Sequence, residues 1–245
     1  MLTTKKVRRT LVTWCKHGQT EGWLVHNPAE PCKVESTERT NEEALIIPSK
    51  DQLRAMLKAA VSPRDAAVIR LLMLGGLRIS EVLGLADDAV IGTKVMVRER
   101  LCSRYVKLGA VKTAKSRRDV PIGDSVVMAV RQWRLTRGPT TSRLFPDPKG
   151  GELWPYQDFM RECWRPLMHR AGLREAGSRK VADFSPHDMR HVAVSLWIEQ
   201  GLPPKKVQEL AGHANIQITM DRYGHLWTDE AGDDVLRQAS ERLIG

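Results

Sequence analysis

The sequence predicts a mainly α-helical chain with one small three-stranded antiparallel β-sheet, an α+β arrangement. Three observations carry this. Apolar residues recur three and four apart through most of the chain, the spacing that gives a helix one buried face. Strand-like alternation is confined to residues 94–122. Helix start and stop signals punctuate the rest, among them Ser49 with Gln52, Gly75-Gly76, Ser185-Pro186 and Gly201-Leu-Pro-Pro.

Taken in order, residues 5 to about 24 form a basic amphipathic helix with Val7, Leu11, Trp14 and Cys15 on one side, stopped by His26-Asn27-Pro28. A lone helix cannot bury such a face by itself, so this one is expected to pack on something. Residues 29–46 are polar, carry two prolines and lack periodicity, and read as a linker. Residues 1–28, 29–46 and 47–245 thus divide the chain into a terminal helix, a linker and a main domain. The main domain opens on a capping box, Ser49 with Gln52. Helices are expected at 50–61 and 63–74, and again from Leu77 after the Gly75-Gly76 break. The strands are Lys94–Arg98, Arg104–Leu108 and Arg118–Ile122. Further helices are expected at about 124–136, 155–171, 186–200, 204–211, 215–223 and 229–243, with Gly224 as a C-terminal stop.

With 42% hydrophobic and 28% charged residues, the 245-residue chain has the composition of an ordinary globular protein. Its apolar runs are too short for a membrane span, and its start lacks the apolar stretch of a signal peptide. Cys15, Cys32, Cys102 and Cys163 lie far apart, which suggests neither a disulfide framework nor a zinc cluster and fits a reducing, cytosolic setting. Lys and Arg number 39 against 29 Asp and Glu, a formal charge of +10. An excess of that size favours a polyanionic partner, nucleic acid first. The tail from Asp229 is acidic, so the basic excess belongs to the remainder.

Between Ser185 and Leu226, basic side chains and a tyrosine recur in an order useful to phosphodiester chemistry. Ser185 and Pro186 begin a helix whose apolar face is Met189, Val192, Ala193, Leu196 and Trp197. His187 and Arg190, three apart, are neighbours turned away from that face. His213 follows in Ala-Gly-His, and Tyr223 closes a short amphipathic helix. Arg78 starts a helix just past Gly75-Gly76, where a cation and helix N-terminal N–H groups can meet one phosphate. Val111-Lys112-Thr-Ala-Lys-Ser-Arg-Arg-Asp-Val-Pro-Ile is a cationic loop between two strands. Each has a plainer alternative: a surface pair for His187 and Arg190, a core aromatic for Tyr223, an ion pair with Glu81 for Arg78, a solvated hairpin tip for the loop. These residues include no carboxylate cluster of the kind a metal-dependent nuclease needs.

Together, Gly-Gly-Leu-Arg78-Ile-Ser-Glu81, Lys112-Thr-Ala-Lys-Ser-Arg-Arg with Val-Pro-Ile behind it, His187-Asp-Met-Arg190-His191, Ala-Gly-His213 and Ile-Thr-Met-Asp-Arg-Tyr223-Gly-His resemble the tyrosine recombinase (phage integrase) family. They stand in the family's order and spacing, and the resemblance covers about residues 45–228. It implies the tyrosine recombinase catalytic-domain fold and a site-specific recombinase or integrase of a mobile element, working on double-stranded DNA without metal, ATP or other cofactor. Tyr223 would be the nucleophile, leaving a 3′-phosphotyrosyl link and a free 5′-hydroxyl. Arg78 and Arg190 would clamp the non-bridging oxygens. Lys112 would protonate the leaving 5′-oxygen, with Lys115 its nearest rival. His187 would assist proton movement at the tyrosine, His213 would donate to the phosphate, and His191 would be structural. The C-terminal helix would either dock on a neighbouring protomer, holding a homo-tetramer on DNA, or pack on its own domain. Residues 5–28 resemble the last helix of the family's core-binding domain, so the chain reads as a catalytic fragment, bacterial or phage-borne and cytoplasmic, associated with the nucleoid. Two other functions are weighed: a type IB topoisomerase-like enzyme, and a non-catalytic DNA-binding derivative.

Overall fold

The computed structural model describes residues 4–33, 47–102, 105–111, 116–138, 142–173 and 184–227. Lys112, Lys115 and the segment 229–243 where a C-terminal helix is expected lie outside these residues. The chain divides into two units, 1–44 and 45–245.

In the first unit, helix α1 runs from Thr4 to Thr20. It ends well before the expected His26-Asn27-Pro28 stop, with Gly22 in the left-handed region. Asn27 instead pins the following segment back onto α1. Its amide donates to Val12 O at 3.0 Å and its Oδ1 accepts from Ala29 N. Arg8 donates to the carbonyls of Glu30 and Cys32. Among the described residues, Val7, Leu11 and Trp14 of the face expected to pack are 41%, 51% and 78% exposed.

The second unit begins with the expected capping box. Ser49 and Gln52 exchange hydrogen bonds at the start of α2, Lys50–Ala59. Ser62 caps α3, Pro63–Met73, with proline at its first position. Gly75-Gly76 then turns the chain into α4, Ile79–Val82, a single turn. Gly76 has φ +62°, and a Cβ there would lie 2.5 Å from the Trp197 ring, so only glycine lets this loop meet the later helix.

Strands β1 (Val90–Ile91), β2 (Lys94–Val97) and β5 (Arg118–Pro121) form an antiparallel sheet in the order β1-β2-β5. Val95 stands opposite Val120, and both are fully buried. The expected middle strand does not join it. β4 (Lys107–Ala110) pairs instead with β3 (Glu99–Cys102) as a separate hairpin. No residue of β4 is fully buried, so it has no apolar face with which to fill a core position between β2 and β5.

Helix α5 spans Asp124–Arg137. The expected helix over 155–171 is α6 (Tyr156–Phe159), a π-helical turn (Met160–Trp164) and α7 (Arg165–Arg170). Pro166 offers no N–H to Glu162, which favours the wider turn. Among the described residues three further helices follow: α8 (Asp188–Glu199), α9 (Pro204–Ala211) and α10 (Ile216–Tyr223). α8 begins three residues past Ser185. The Asp188 carboxylate accepts the Ser185 N–H at 2.6 Å, replacing the expected hydroxyl cap. Gly224 is right-handed (φ −53°), not a left-handed stop, and the chain continues as a 3-10 turn through Leu226.

One main core gathers apolar side chains from α2 to α8, among them Leu71, Leu72, Val95, Phe145, Trp164 and Met189. A small satellite core holds Val194, Ile198, Val207, Ala211 and Tyr223. Helix α8 lies between the two and is buried over more of its circumference than the single apolar stripe suggests. Arg190 and His191 are therefore interior residues, not surface ones. Among the described residues no helix is long and apolar enough to cross a membrane.

Candidate active site

Three arginines converge where α4, β5, α8 and the end of α9 meet, organised by the buried carboxylate of Glu81. Arg78 donates through Nη1 to Glu81 Oε1 at 2.7 Å and through its backbone N–H to Oε2 at 2.9 Å. Arg118 grips both oxygens of the same carboxylate, at 3.1 and 2.8 Å. Its Nε reaches Leu210 O at 2.7 Å, tying β5 to the end of α9. Arg190, 2% exposed, donates to Gly76 O at 2.9 Å and to Ala211 O. Arg78 closes the ring by donating to Gly212 O at 3.2 Å. Gly212 itself has φ +63°, and a Cβ there would sit 3.0 Å from Arg118 Nη1. The Gly-Gly-Leu-Arg, Ala-Gly-His and His-Asp-Met-Arg motifs are thus knitted together by guanidinium–carbonyl bonds.

Burial pushes the Glu81 carboxyl up, but the Arg118 hydrogen bonds and the charges of Arg118, Arg78 and Arg190 overcome this and hold it at about 2. Burial and the neighbouring Arg78 lower Arg190 to about 9, still charged at neutral pH. The ion pair weighed for Arg78 therefore exists. It does not withdraw the residue, whose side chain remains one-third exposed.

Beside the arginines lies a tyrosine–histidine group. His191 Nδ1 is 2.5 Å from the Tyr223 hydroxyl oxygen, and both residues are buried. The ring of His187, an exposed residue, stands edge-on to that of His191 at 5.2 Å. The His213 ring stacks on Tyr223 at 6.4 Å, and its Nδ1 lies 2.9 Å from Thr219 Oγ1. Burial raises the Tyr223 phenol to about 12 against the opposing pull of Arg190 and Arg222. Burial also lowers His191 to about 4, helped by the charges of His187, Arg222 and Arg190. Burial with Arg190 and Arg78 takes His213 to about 3. Partial desolvation of its ring by the neighbouring groups, and then Arg190, lower His187 too. At neutral pH the site thus holds charged arginines beside neutral imidazoles and an un-ionised phenol.

Of the six residues singled out in the sequence, Arg78, His187, Arg190, His213 and Tyr223 come together here, and Lys112 falls outside the described residues. Sequence reasoning passed over Arg118, Glu81 as a shared anion, and the contact of His191 with the tyrosine. Two of these had a signal. Arg118 shares the inward period-two register of Val120, and its burial alternates with exposed Asp119. His191 lies at i, i+3 and i+7 with Val194 and Ile198, the face that meets Tyr223. Among the described residues, no group of three or more His, Cys, Asp or Glu could hold a metal ion.

Residues 49–230 match the sequence profile of the Phage integrase family. The chain is 31% identical over 216 residues to tyrosine recombinase XerD of Corynebacterium glutamicum, covering 84% of this chain and 62% of that protein. It is 31% identical over 214 residues to tyrosine recombinase XerC of Azotobacter vinelandii, covering 84% and 63%. The chain therefore spans less than two thirds of these relatives. The Tn1549 transposon integrase, solved with circular intermediate DNA, shares the fold at a TM-score of 0.72 and 21% identity, over 97% of this chain and 81% of that one. XerA recombinase matches at 0.58 and 19% identity, over 97% and 77%. With its motifs gathered in one site and most of its length matched, the chain belongs to the phage integrase family.

Proposed function

We propose that the chain supplies the catalytic domain of a site-specific DNA recombinase or integrase, cutting and rejoining strands through a 3′-phosphotyrosyl intermediate without metal or ATP. The observation that carries this is a tyrosine hydroxyl held against an imidazole in the same cluster as Arg78 and Arg190. A phenol needs activation by a neighbouring base to attack phosphorus. The names of the relatives, tyrosine recombinases, and the DNA-bound state of the Tn1549 integrase support the reading.

In this reading Tyr223 Oη bonds to phosphorus while the bond to the 5′-oxygen breaks, and Lys112 protonates that oxygen. Arg78 and Arg190 hold the non-bridging oxygens, where charge grows in the transition state. His213 Nδ1 lies against the Thr219 hydroxyl; with that hydroxyl as donor, the imidazole keeps its proton on Nε2 for the phosphate. His187 assists proton movement from the tyrosine. The phosphotyrosyl link conserves the bond energy, so a 5′-hydroxyl can reverse the step. The partner is double-stranded DNA, residues 5–28 belong to a DNA clamp, and the tail beyond 228 docks protomers into a tetramer.

The test is covalent trapping in EDTA on a library of nicked duplexes of randomised sequence. A denaturation-resistant adduct, absent from Tyr223→Phe, is the expected result. Binding without an adduct across the library favours the non-catalytic DNA-binding reading instead.

A further inference from the structure

We propose that His191 is the group that takes the phenolic proton of Tyr223 when the tyrosine attacks, and returns it when the strand is rejoined. This rests on the recombinase reading above and adds a catalytic residue to it.

The geometry carries the assignment. Among the described residues, the partner of the Tyr223 hydroxyl is His191 Nδ1, at 2.5 Å. The histidine is fixed by its helix, since Met189, Arg190, Val192, Ala193 and Val194 around it are all buried. The tyrosine ring is fixed by the satellite core and by stacking on His213. Charged and titratable groups around the imidazole are His187, Asp188 and Arg190 on its own helix, and Arg222 with Tyr223 on α10. His191 is neutral in this setting, so one nitrogen carries the proton and the other accepts. In the proposed arrangement the phenol donates its O–H to Nδ1, and the ring proton sits on Nε2. His187, edge-on to His191, stands one ring farther from the phenol and acts on it through His191.

The step balances. The phenolic proton passes to Nδ1 as the Oη–P bond forms and the P–O5′ bond breaks, and the 5′-oxygen receives its proton from Lys112. In rejoining, the 5′-hydroxyl attacks phosphorus and gives its proton back to Lys112, while the Oη–P bond breaks and His191 returns the proton to the leaving phenolate. A positioned base is worth on the order of 10²–10⁴ in rate. Burial is the main reason His191 is neutral, and a DNA phosphate beside Arg190 would offset part of the positive field that adds to it.

Two measurements test this. The first uses the full chain without DNA: 15N NMR of the histidine rings at pH 7. An unprotonated, hydrogen-bonded Nδ1 and a protonated Nε2 at His191 are expected, and a proton on Nδ1 overturns the proposal. The second is the single-turnover rate of adduct formation for wild type, His191→Gln and His187→Gln, with circular dichroism to confirm folding. Glutamine keeps a hydrogen-bonding group near the phenol but cannot accept a proton, so a loss of about 10²-fold or more is expected in His191→Gln. Placing 3,5-difluorotyrosine at 223, whose phenol ionises more easily, should recover part of that loss and help wild type less. An unchanged rate in His191→Gln, or equal gains from the fluorinated residue in both backgrounds, overturns the proposal while leaving the recombinase reading intact. No adduct with wild type overturns the recombinase reading itself. The NMR result still separates the two failures.

Discussion

Replacing Glu81 with glutamine removes the buried negative charge that Arg78 and Arg118 share, leaving two guanidiniums and nearby Arg190 with no counter-ion. The carboxyl is 1% exposed, so solvent cannot screen the repulsion left behind. Its lowering from the ordinary 4.5 to about 2 corresponds to about 3 kcal/mol of folding stability at neutral pH. Breaking a buried pair from one side generally costs ~3–5 kcal/mol, in agreement. For a domain of this size that is a fall in melting temperature of roughly 10 °C. Because the folded carboxyl ionises below its unfolded counterpart, its contribution is complete above pH 4.5 and fades as pH falls towards 2. Urea unfolding of wild type and Glu81→Gln at pH 7 and at about pH 3 reads both effects. The gap should be about 3 kcal/mol at pH 7 and smaller in acid. Arg118→Met should cost less in the Glu81→Gln background than alone. A gap below about 0.5 kcal/mol at pH 7, with additive double mutants, would refute the idea that Glu81 holds the arginines together.

Other outcomes follow from the same geometry. Gly76→Ala forces a left-handed backbone on alanine and drives its Cβ into Trp197, for a loss of about 2–4 kcal/mol in chemical denaturation. Arg190→Lys loses the fork that reaches Gly76 O and Ala211 O, so both stability and adduct formation should fall, the latter by at least about 10²-fold. His191 and His213 are lowered from 6.5 to about 4 and about 3, so below pH 6.5 the unfolded chain binds protons that the folded chain refuses. Stability should therefore decline from pH 6.5 towards 4, less steeply in His213→Gln, as followed by thermal melts across pH.

Much of this architecture was legible in the sequence because its signals are local. The Ser49–Gln52 box, the Ser62-Pro63 start of α3 and the Gly75-Gly76 break need no knowledge of what packs against them. The β3–β4 hairpin was misread because β-prone residues can pair at an edge as well as within a sheet, and only burial decides. The site was legible as a set of motifs but not as a network. Residues 78, 118, 190 and 212 meet only through the tertiary fold. An arginine that donates to carbonyls over a hundred residues away leaves no periodicity to read. His191 shows the limit most clearly. A helix flanked by two cores buries side chains on more than one face, so a single apolar stripe misjudges which histidine meets the tyrosine.

In the proposed reaction Tyr223 forms the bond to DNA. Its most direct test is proteolysis of the adduct trapped in EDTA, followed by mass spectrometry of the DNA-bearing peptide and chemical analysis of the cut strand. A nucleotide 3′-phosphate esterified to Tyr223 and a free hydroxyl on the 5′ side are expected. A link to another residue, or a strand cut with no protein attached, would contradict that reaction.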